Sequence, residues 1–217
     1  MNFRHILCLL GVAALLAACG GGNYSPKPQA YLRIDLPEHD YFLLDTMRFA
    51  DTPCWIGDSI QALSHDKPDI TFPFIFEANK CIEWTEKDAP KGERWVDLMY
   101  PQWDGVVFLT YHQMRSPDEL GGQIDGAMRF MEQHYKVSTG IEEQGYEDNE
   151  NRVYGTVYYL KGSKVASTCQ FWMTDSASHF LRGSLFLNRT PNNDSLAPVL
   201  EYIQADIGHL VETLRWR

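Results

Sequence analysis

The sequence predicts an α+β fold in which helices pack on an antiparallel β-sheet. Three observations support this prediction: short strands with alternating apolar residues are grouped into hairpins, one capped helix interrupts them, and a longer helix follows the last hairpin. Hairpins join antiparallel strands, whereas parallel strands need long crossover connections. With 217 residues, 44% of them hydrophobic, the chain has enough apolar material for one core.

The first half of the chain predicts five strands. Residues 30–36 alternate polar and apolar side chains and are followed by Pro37, which ends a strand. Residues 40–70 have no clear period and are interpreted as loop with short helical pieces. Four further apolar runs predict strands at residues 72–77, 81–84, 95–101 and 105–114.

The first helix has a capping pattern. Ser116 is a candidate N-cap, Pro117 suits the first helical position, and Glu119 stands three residues after the cap. The apolar residues that follow recur at helical spacing and predict one buried face: Leu120, Ile124, Ala127 and Met131.

The second half of the chain predicts a strand at 139–144, then three hairpin strands and a final helix. The hairpin strands are expected at residues 152–160, 165–174 and 179–188. The helix is expected over residues 196–216, capped by Asp194 or Ser195. Its apolar stripe is Leu200, Ile203, Ile207, Leu210 and Leu214.

The charge distribution argues against a nucleic-acid partner. The formal net charge is −10, and no basic stripe is present for phosphate contacts. The histidines are scattered, without the spacing of a zinc site, so the sequence predicts neither a metal site nor a cofactor.

Residues 1–18 have the pattern of a secretory signal peptide. Arg4 lies in a short charged start, and an apolar run follows that is shorter than the ~20 residues a spanning helix needs. Leu16, Ala17 and Ala18 then precede Cys19, an order that resembles the bacterial lipobox. Cys19 is therefore predicted to become the first mature residue and to carry acyl chains such as palmitate. The alternative is a soluble secreted protein with an unmodified cysteine at this position.

Residues 19–29 are predicted to form the lipidated cysteine and a flexible tether, because glycines and prolines dominate them. Residues 30–217 are predicted to form a single globular α+β domain. Cys54, Cys81 and Cys169 lie in that domain, and in an oxidising compartment they allow one disulfide with one free thiol, or no disulfide.

Asp175, Ser176 and His179 have the residue types of a hydrolytic triad within five positions. A periplasmic hydrolase using Ser176 and His179 is therefore one alternative function. Neighbouring turn residues rarely align as nucleophile, base and orienting acid, and no Gly-x-Ser-x-Gly turn is present. A turn is the favoured interpretation, with Asp and Ser binding backbone N–H groups, and no catalytic residue is predicted.

Two polar stretches are candidate contacts for a protein partner. The first lies beside a predicted strand end and the second in and after the 174–179 turn, and together they give Arg33, Asp35, Glu38, His39, Asp175, His179 and Arg182. In the second stretch, alternation places His179 and Arg182 on opposite faces of one strand. Four Asp-Ser/Thr-apolar triplets also resemble an O-glycosylation pattern; they begin at Asp45, Asp58, Asp175 and Asp194.

Four long stretches resemble the gliding-motility lipoprotein GldD family of Bacteroidota. They cover residues 24–41, 72–77, 154–188 and 191–216. One departure is visible in the tether, where Gln29 and Ala30 stand in place of the Arg-Gly pair expected from the resemblance. That departure removes a positive charge near the membrane.

The resemblance implies an envelope lipoprotein that is a non-catalytic component or assembly factor of the gliding motility and type IX secretion machinery. Other envelope lipoproteins of that machinery are the implied partners, and the resemblance carries no catalytic residues. The strand and helix order is also similar to the Mog1/PsbP-like fold. We expect a periplasm-facing protein on either the inner or the outer membrane. A ligand-binding lipoprotein, with a pocket between the sheet and the C-terminal helix, remains an alternative.

Overall fold

The computed structural model describes residues 34–47 and 70–217, and within them it confirms the predicted α+β class. These residues form two α-helices, α1 (Leu120–Glu132) and α2 (Asn193–Thr213). They also form ten strands: β1 (Tyr41–Met47), β2 (Ile70–Asn79), β3 (Glu83–Lys87), β4 (Glu93–Tyr100), β5 (Gly105–Gln113), β6 (Gly140–Asp148), β7 (Val153–Lys161), β8 (Cys169–Thr174), β9 (His179–Leu187) and β10 (Arg215–Trp216).

The strands form two antiparallel sheets. The larger sheet has seven strands in the order β3-β4-β5-β9-β8-β7-β6, and the smaller has the order β1-β2-β10. Hairpins connect β3 to β5 and β6 to β9, and the sequence predicts those that join β4 to β5 and β7 to β9. Strand β9 returns to pair with β5, which places the strands of both hairpin groups in one sheet.

The two helices cover opposite faces of the seven-stranded sheet. Apolar residues of α2, including Ile203, Ile207 and Leu210, belong to the main core together with Leu109 and Leu185. A smaller buried cluster joins Met131 of α1 to Tyr158 and Leu160 of β7, with Trp172 of β8 packed against it. Strand β9 alternates between the faces, with Leu181 and Leu185 toward α2 and Arg182 and Ser184 toward α1.

The C-terminal helix is shorter than predicted. All five residues of its predicted stripe are buried, but the helix ends at Thr213 and Leu214 has extended backbone angles. Arg215 and Trp216 then pair with Ile75 and Phe74 as strand β10. The unpaired edge of β2 offers backbone hydrogen bonds here, and no helical period reveals that long-range pairing. The predicted cap is also wrong, because Asn192 is the N-cap and Asp194 and Ser195 lie inside the helix.

The N-terminal strand was predicted in the wrong place. Ile34 and Leu36 belong to no strand, although both pack against the core, which explains their alternation with polar residues. The strand begins instead at Tyr41, in a stretch predicted to be loop, and pairs with β2 from Tyr41↔Asn79 onward. Residues 30–33 of the predicted strand lie outside the described residues.

Helix α1 begins later than its capping pattern predicts. Ser116 precedes a 3-10 turn, Pro117–Glu119, and the α-helix starts at Leu120. Neither described helix combines the length and apolar character needed to cross a membrane. Residues 1–18 and 19–29 lie outside the described residues.

Candidate functional site

The candidate contact residues fall into separate parts of the structure. The 174–179 turn joins β8 to β9, and Asp175 within it is only 7% exposed. Its Oδ1 accepts hydrogen bonds from the backbone N–H groups of Ala177, Ser178 and His179 at 2.8–2.9 Å. Its Oδ2 accepts one from the Ser178 hydroxyl at 3.2 Å. The Asp175 carboxylate therefore fixes the shape of the turn and is not available at the surface.

These hydrogen bonds also set the ionisation of Asp175. Burial alone raises the pKa of a carboxyl group, but the three backbone N–H donors stabilise the charged form. The pKa of Asp175 consequently lies below its ordinary value. A charged, fully bonded Asp175 is the expected state at neutral pH.

His179 has a different partner from the one a triad requires. Its Nδ1 is hydrogen bonded to the Tyr111 hydroxyl at 2.8 Å, and its ring stacks on Trp216 with centroids 5.1 Å apart. Burial lowers the pKa of His179, and the charge of Asp175 opposes this effect. Asp175 binds the backbone of His179 instead of orienting the imidazole.

Ser176 is the exposed residue of the turn, with φ at 63° in the left-handed region. Its backbone N–H donates to the Thr174 Oγ1 at 3.0 Å. The described contacts therefore contain no Ser176–His179–Asp175 relay, because His179 Nδ1 binds Tyr111 and the Asp175 carboxylate binds the turn. The arrangement favours the turn interpretation over the hydrolase alternative.

Asp35, Glu38 and His39 lie in the segment that precedes β1, residues 34–40, here called the N-terminal segment. Ile34 and Leu36 face the core, whereas Asp35 and Glu38 are exposed. Arg33 lies outside the described residues.

His39 binds α2 and so holds the N-terminal segment against this helix. Its Nδ1 is 2.7 Å from Oδ1 of Asp206, and its ring stacks on Tyr202 with centroids 4.1 Å apart. The stacking continues through Tyr41, whose ring is 3.7 Å from that of His209. The N-terminal segment is thus held at His39, and the acidic side chains of Asp35 and Glu38 are exposed on it.

Asp206 is the centre of a buried polar network that sequence reasoning missed. It is 5% exposed and accepts hydrogen bonds from Tyr41, Asn79 and Tyr100 at 3.0–3.1 Å, in addition to its contact with His39. The Asn79 side chain also donates to the Tyr202 hydroxyl at 2.8 Å. The sequence signal for this network is an aspartate next to the apolar stripe of a helix, since a buried carboxylate requires hydrogen-bond partners.

The raised pKa values of several tyrosines predict that the fold loses stability at high pH. Burial, followed by the charge of Asp206, raises the pKa of Tyr41 and Tyr100, and burial raises that of Tyr202. Burial and the Asp175 charge raise the pKa of Tyr111 to about 12.

In the unfolded chain these phenols release their protons near the ordinary value of 10.0. The folded state keeps them, so their contribution to stability is complete below pH 10.0 and is lost as pH rises through their raised pKa values, which for Tyr111 is about 12. We expect phenolate absorbance and loss of secondary structure to rise together in an alkaline titration. Ionisation of all tyrosines near their ordinary pKa, with the fold intact, would contradict this expectation.

Arg182 lies on the opposite face of β9 from His179, as the alternation predicts. It lines a cavity of about 300 Å³ between α1 and the sheet. On the α2 side, the void beside Asp206 and Ile207 measures about 10 Å³, and a second space of about 540 Å³ lies between α2 and strands β6 and β7. The pocket that the sequence predicts between the sheet and the C-terminal helix therefore has space in the described residues, and its use for a ligand stays a prediction.

The described cysteines are both free thiols. Cys169 is buried and Cys81 is half-buried, and burial raises the pKa of each. The structure does not describe Cys19 or Cys54. It also does not describe the hydroxyl side chains of two of the Asp-Ser/Thr triplets, which are Thr46 and Ser59. Within the described ranges, no three His, Cys, Asp or Glu residues are grouped closely enough to hold a metal ion.

Comparison with known proteins identifies one family. The family described as gliding motility lipoprotein GldD matches residues 59–216, which is more than half of the chain. Neither the curated proteins nor the solved structures gave a significant match to the chain. The narrower likeness to the Mog1/PsbP-like fold therefore stays a prediction.

Proposed function

Because the chain belongs to the gliding motility lipoprotein GldD family, we propose that it is a lipid-anchored, non-catalytic component or assembly factor of the gliding motility and type IX secretion machinery. The family match over residues 59–216 is the observation that carries this proposal. The proposed partners are other envelope lipoproteins of the machinery. The proposed location is the cell envelope, with the domain facing the periplasm.

The arrangement of the polar side chains supports a role in protein contact. In the turn at residues 174–179, the Asp175 carboxylate binds backbone N–H groups of the turn itself. His179 lies between Tyr111 and Trp216. Such groups shape a surface, whereas a hydrolase needs them aligned toward a substrate.

We propose the N-terminal segment as the main contact surface. Asp35 and Glu38 are exposed there, and His39 holds the backbone against α2 through Asp206. A partner would therefore meet acidic groups on a pre-positioned backbone, which limits the ordering cost of binding. Arg33, which directly precedes this segment in the chain, stays a candidate contact, and the half-buried His179 is a secondary one.

Crosslinking followed by affinity capture from host membranes tests this function. The wild-type protein is expected to recover envelope lipoproteins of the machinery. A variant with Asp35→Asn and Glu38→Gln should recover less of them, whereas Asp118→Asn with Glu132→Gln, two exposed acids near α1, should recover the wild-type amount. Recovery of the protein alone, from membranes in which the secretion complex is intact, would overturn the proposal.

Replacing Cys19 is predicted to release the protein from the membrane. Cys19→Ser removes the thiol that acyl chains modify, and two or more chains are needed for a stable anchor. We expect nearly complete transfer of the protein from the membrane pellet to the soluble envelope fraction. Cys81→Ser is the matched control and should leave the protein in the pellet, because Cys81 lies in the folded domain. Retention of the Cys19→Ser variant in the pellet would show that another element holds it there.

A further inference from the structure

The cavity between α1 and the sheet has the construction of a binding site. Its volume is about 300 Å³, enough for ~10 water molecules and at the lower end of the ~300–1,000 Å³ range of ligand pockets. Strands β5, β7, β8 and β9 form its floor, and α1 forms its roof. It lies on the opposite face of the sheet from the contacts that α2 makes.

The strand register places two rows of side chains on the floor. In the first row Thr110, Arg182 and Trp172 stand on adjacent strands. In the second row Ser184 stands beside Gln170 and Phe108. All six line the cavity. The polar groups therefore meet near the middle of the floor, around Arg182 and Ser184, with large aromatic rings on both sides.

Arg182 gives the cavity a positive charge. Among the described residues that line the cavity, none is acidic, although the whole chain carries 29 acidic residues. The His134 imidazole also lines it, and burial lowers its pKa, so the ring is neutral at neutral pH. Burial lowers the pKa of Arg182 too, and the charge of Glu93 opposes this, but a guanidinium remains charged.

The guanidinium of Arg182 has no carboxylate within 4.0 Å in the described part of the chain. Its contact is the ring of Phe130, with the Cζ atom 4.3 Å from the ring centroid. Stacking on an aromatic face leaves the in-plane N–H groups of an arginine free to bind an anion. A half-buried guanidinium in this state is best satisfied by a bidentate carboxylate or similar anion.

The Gln170 amide and the Trp172 indole lie beside Ser184 and Arg182 on the floor of the cavity. The Trp172 Nε1–H is buried and has no acceptor, one of two such atoms in the described residues. Gln170 is 6% exposed and carries an amide onto the same floor. The Gln170 amide is therefore the available neighbouring donor and acceptor, whereas the Trp172 Nε1–H has almost no accessible surface and is out of a ligand's reach.

The mouth of the cavity exposes aromatic surface. Phe108 and Phe130 are 38% and 50% exposed, although both line the cavity. Met128 and Met131 of α1 supply flexible apolar contacts above the floor. An apolar ligand body would cover this surface, while Arg182 would bind its charged end.

We propose that this cavity binds a small carboxylate whose body is an aromatic ring or a short acyl chain. The carboxylate lies against Arg182, with Ser184 and the Gln170 amide close by, and the apolar body lies between Phe108, Phe130 and the methionines. The site is separate from the N-terminal segment, so its occupancy does not depend on the protein contacts proposed above.

Titration of the purified domain with hydrocinnamate tests this site. Binding would be followed by the indole N–H resonance of Trp172 and by calorimetry, with octanoate as the acyl probe. Hydrocinnamide is the matched neutral probe, and we expect it to bind at least about tenfold more weakly than hydrocinnamate, because it loses the charge-assisted hydrogen bonds. Arg182→Gln should weaken hydrocinnamate binding by a similar factor.

Arg189→Gln is the matched control, since it removes the same charge from an exposed residue that does not line the cavity. It should bind hydrocinnamate like the wild type. If Arg182→Gln fails to fold, the comparison of hydrocinnamate with hydrocinnamide on the wild type decides the question. No binding of either carboxylate, equal binding of acid and amide, or equal weakening by both arginine variants would overturn the proposal.

Discussion

Asp206→Ala is expected to lower the free energy of unfolding by about 3 kcal/mol or more. The substitution removes the shared acceptor of Tyr41, Asn79 and Tyr100, and it also releases His39. Asn79 and Tyr100 are each 3% exposed, so water cannot replace the lost acceptor without opening the core. Each polar group left without a partner in such a place costs about 1–3 kcal/mol.

Two further variants separate the network from the helix that carries it. Asp206→Asn keeps the shape and one acceptor oxygen, and we expect a smaller loss of stability. Glu201→Ala, at an exposed position of the same helix, should change the free energy of unfolding by less than about 0.5 kcal/mol. Urea unfolding of the three variants and the wild type measures these differences. A loss below about 1 kcal/mol for Asp206→Ala would show that the network contributes little net stability.

The same network connects stability to the proposed contact surface. His39 binds Asp206 directly, and the exposed Asp35 and Glu38 lie within four residues of it along the chain. Loss of Asp206 should therefore release the N-terminal segment from α2 even where the rest of the domain stays folded. Faster amide hydrogen exchange in residues 34–44 would be the local signature of this release.

Periodic features of the fold could be predicted from the sequence. The buried stripe of α2, the hairpins from β7 to β9 and the two faces of β9 all follow from the spacing of apolar residues within one element. The placement of His179 and Arg182 on opposite faces is a result of the same alternation. These features need no knowledge of which elements meet in space.

Features that depend on distant parts of the chain could not be predicted. Strand β10 exists because Trp216 reaches the edge of β2, about 140 residues earlier in the chain. The Asp206 network joins β1, β2, β4 and α2, and the cavity depends on how closely each helix approaches the sheet. Local residue patterns carry no information on these distances, so the cavity under α1 could not be predicted from the sequence.

The most severe packing effect is predicted for Gly155→Ala in the middle of β7. A Cβ atom at this position would lie 2.0 Å from the backbone oxygen of Trp172 and 2.6 Å from the sulfur of Met173. Met173 is fully buried and Trp172 O belongs to the neighbouring strand, so neither can move without separating β7 from β8. We expect a loss of about 3 kcal/mol or more, at the upper end of overpacking effects.

Gly145→Ala is the matched control, because Gly145 lies in the partner strand β6 and a Cβ atom there would meet nothing within 4 Å. It should be neutral or slightly stabilising, since alanine has less conformational freedom than glycine in the unfolded chain. Thermal and urea unfolding of both variants measure the difference. Because Trp172 is the residue displaced and also lines the cavity, any Gly155→Ala protein that folds should shift its indole N–H resonance, whereas Gly145→Ala should not. Equal stability of the two variants would mean that the β7–β8 pair relaxes without cost, and the close approach of these strands would then not constrain position 155.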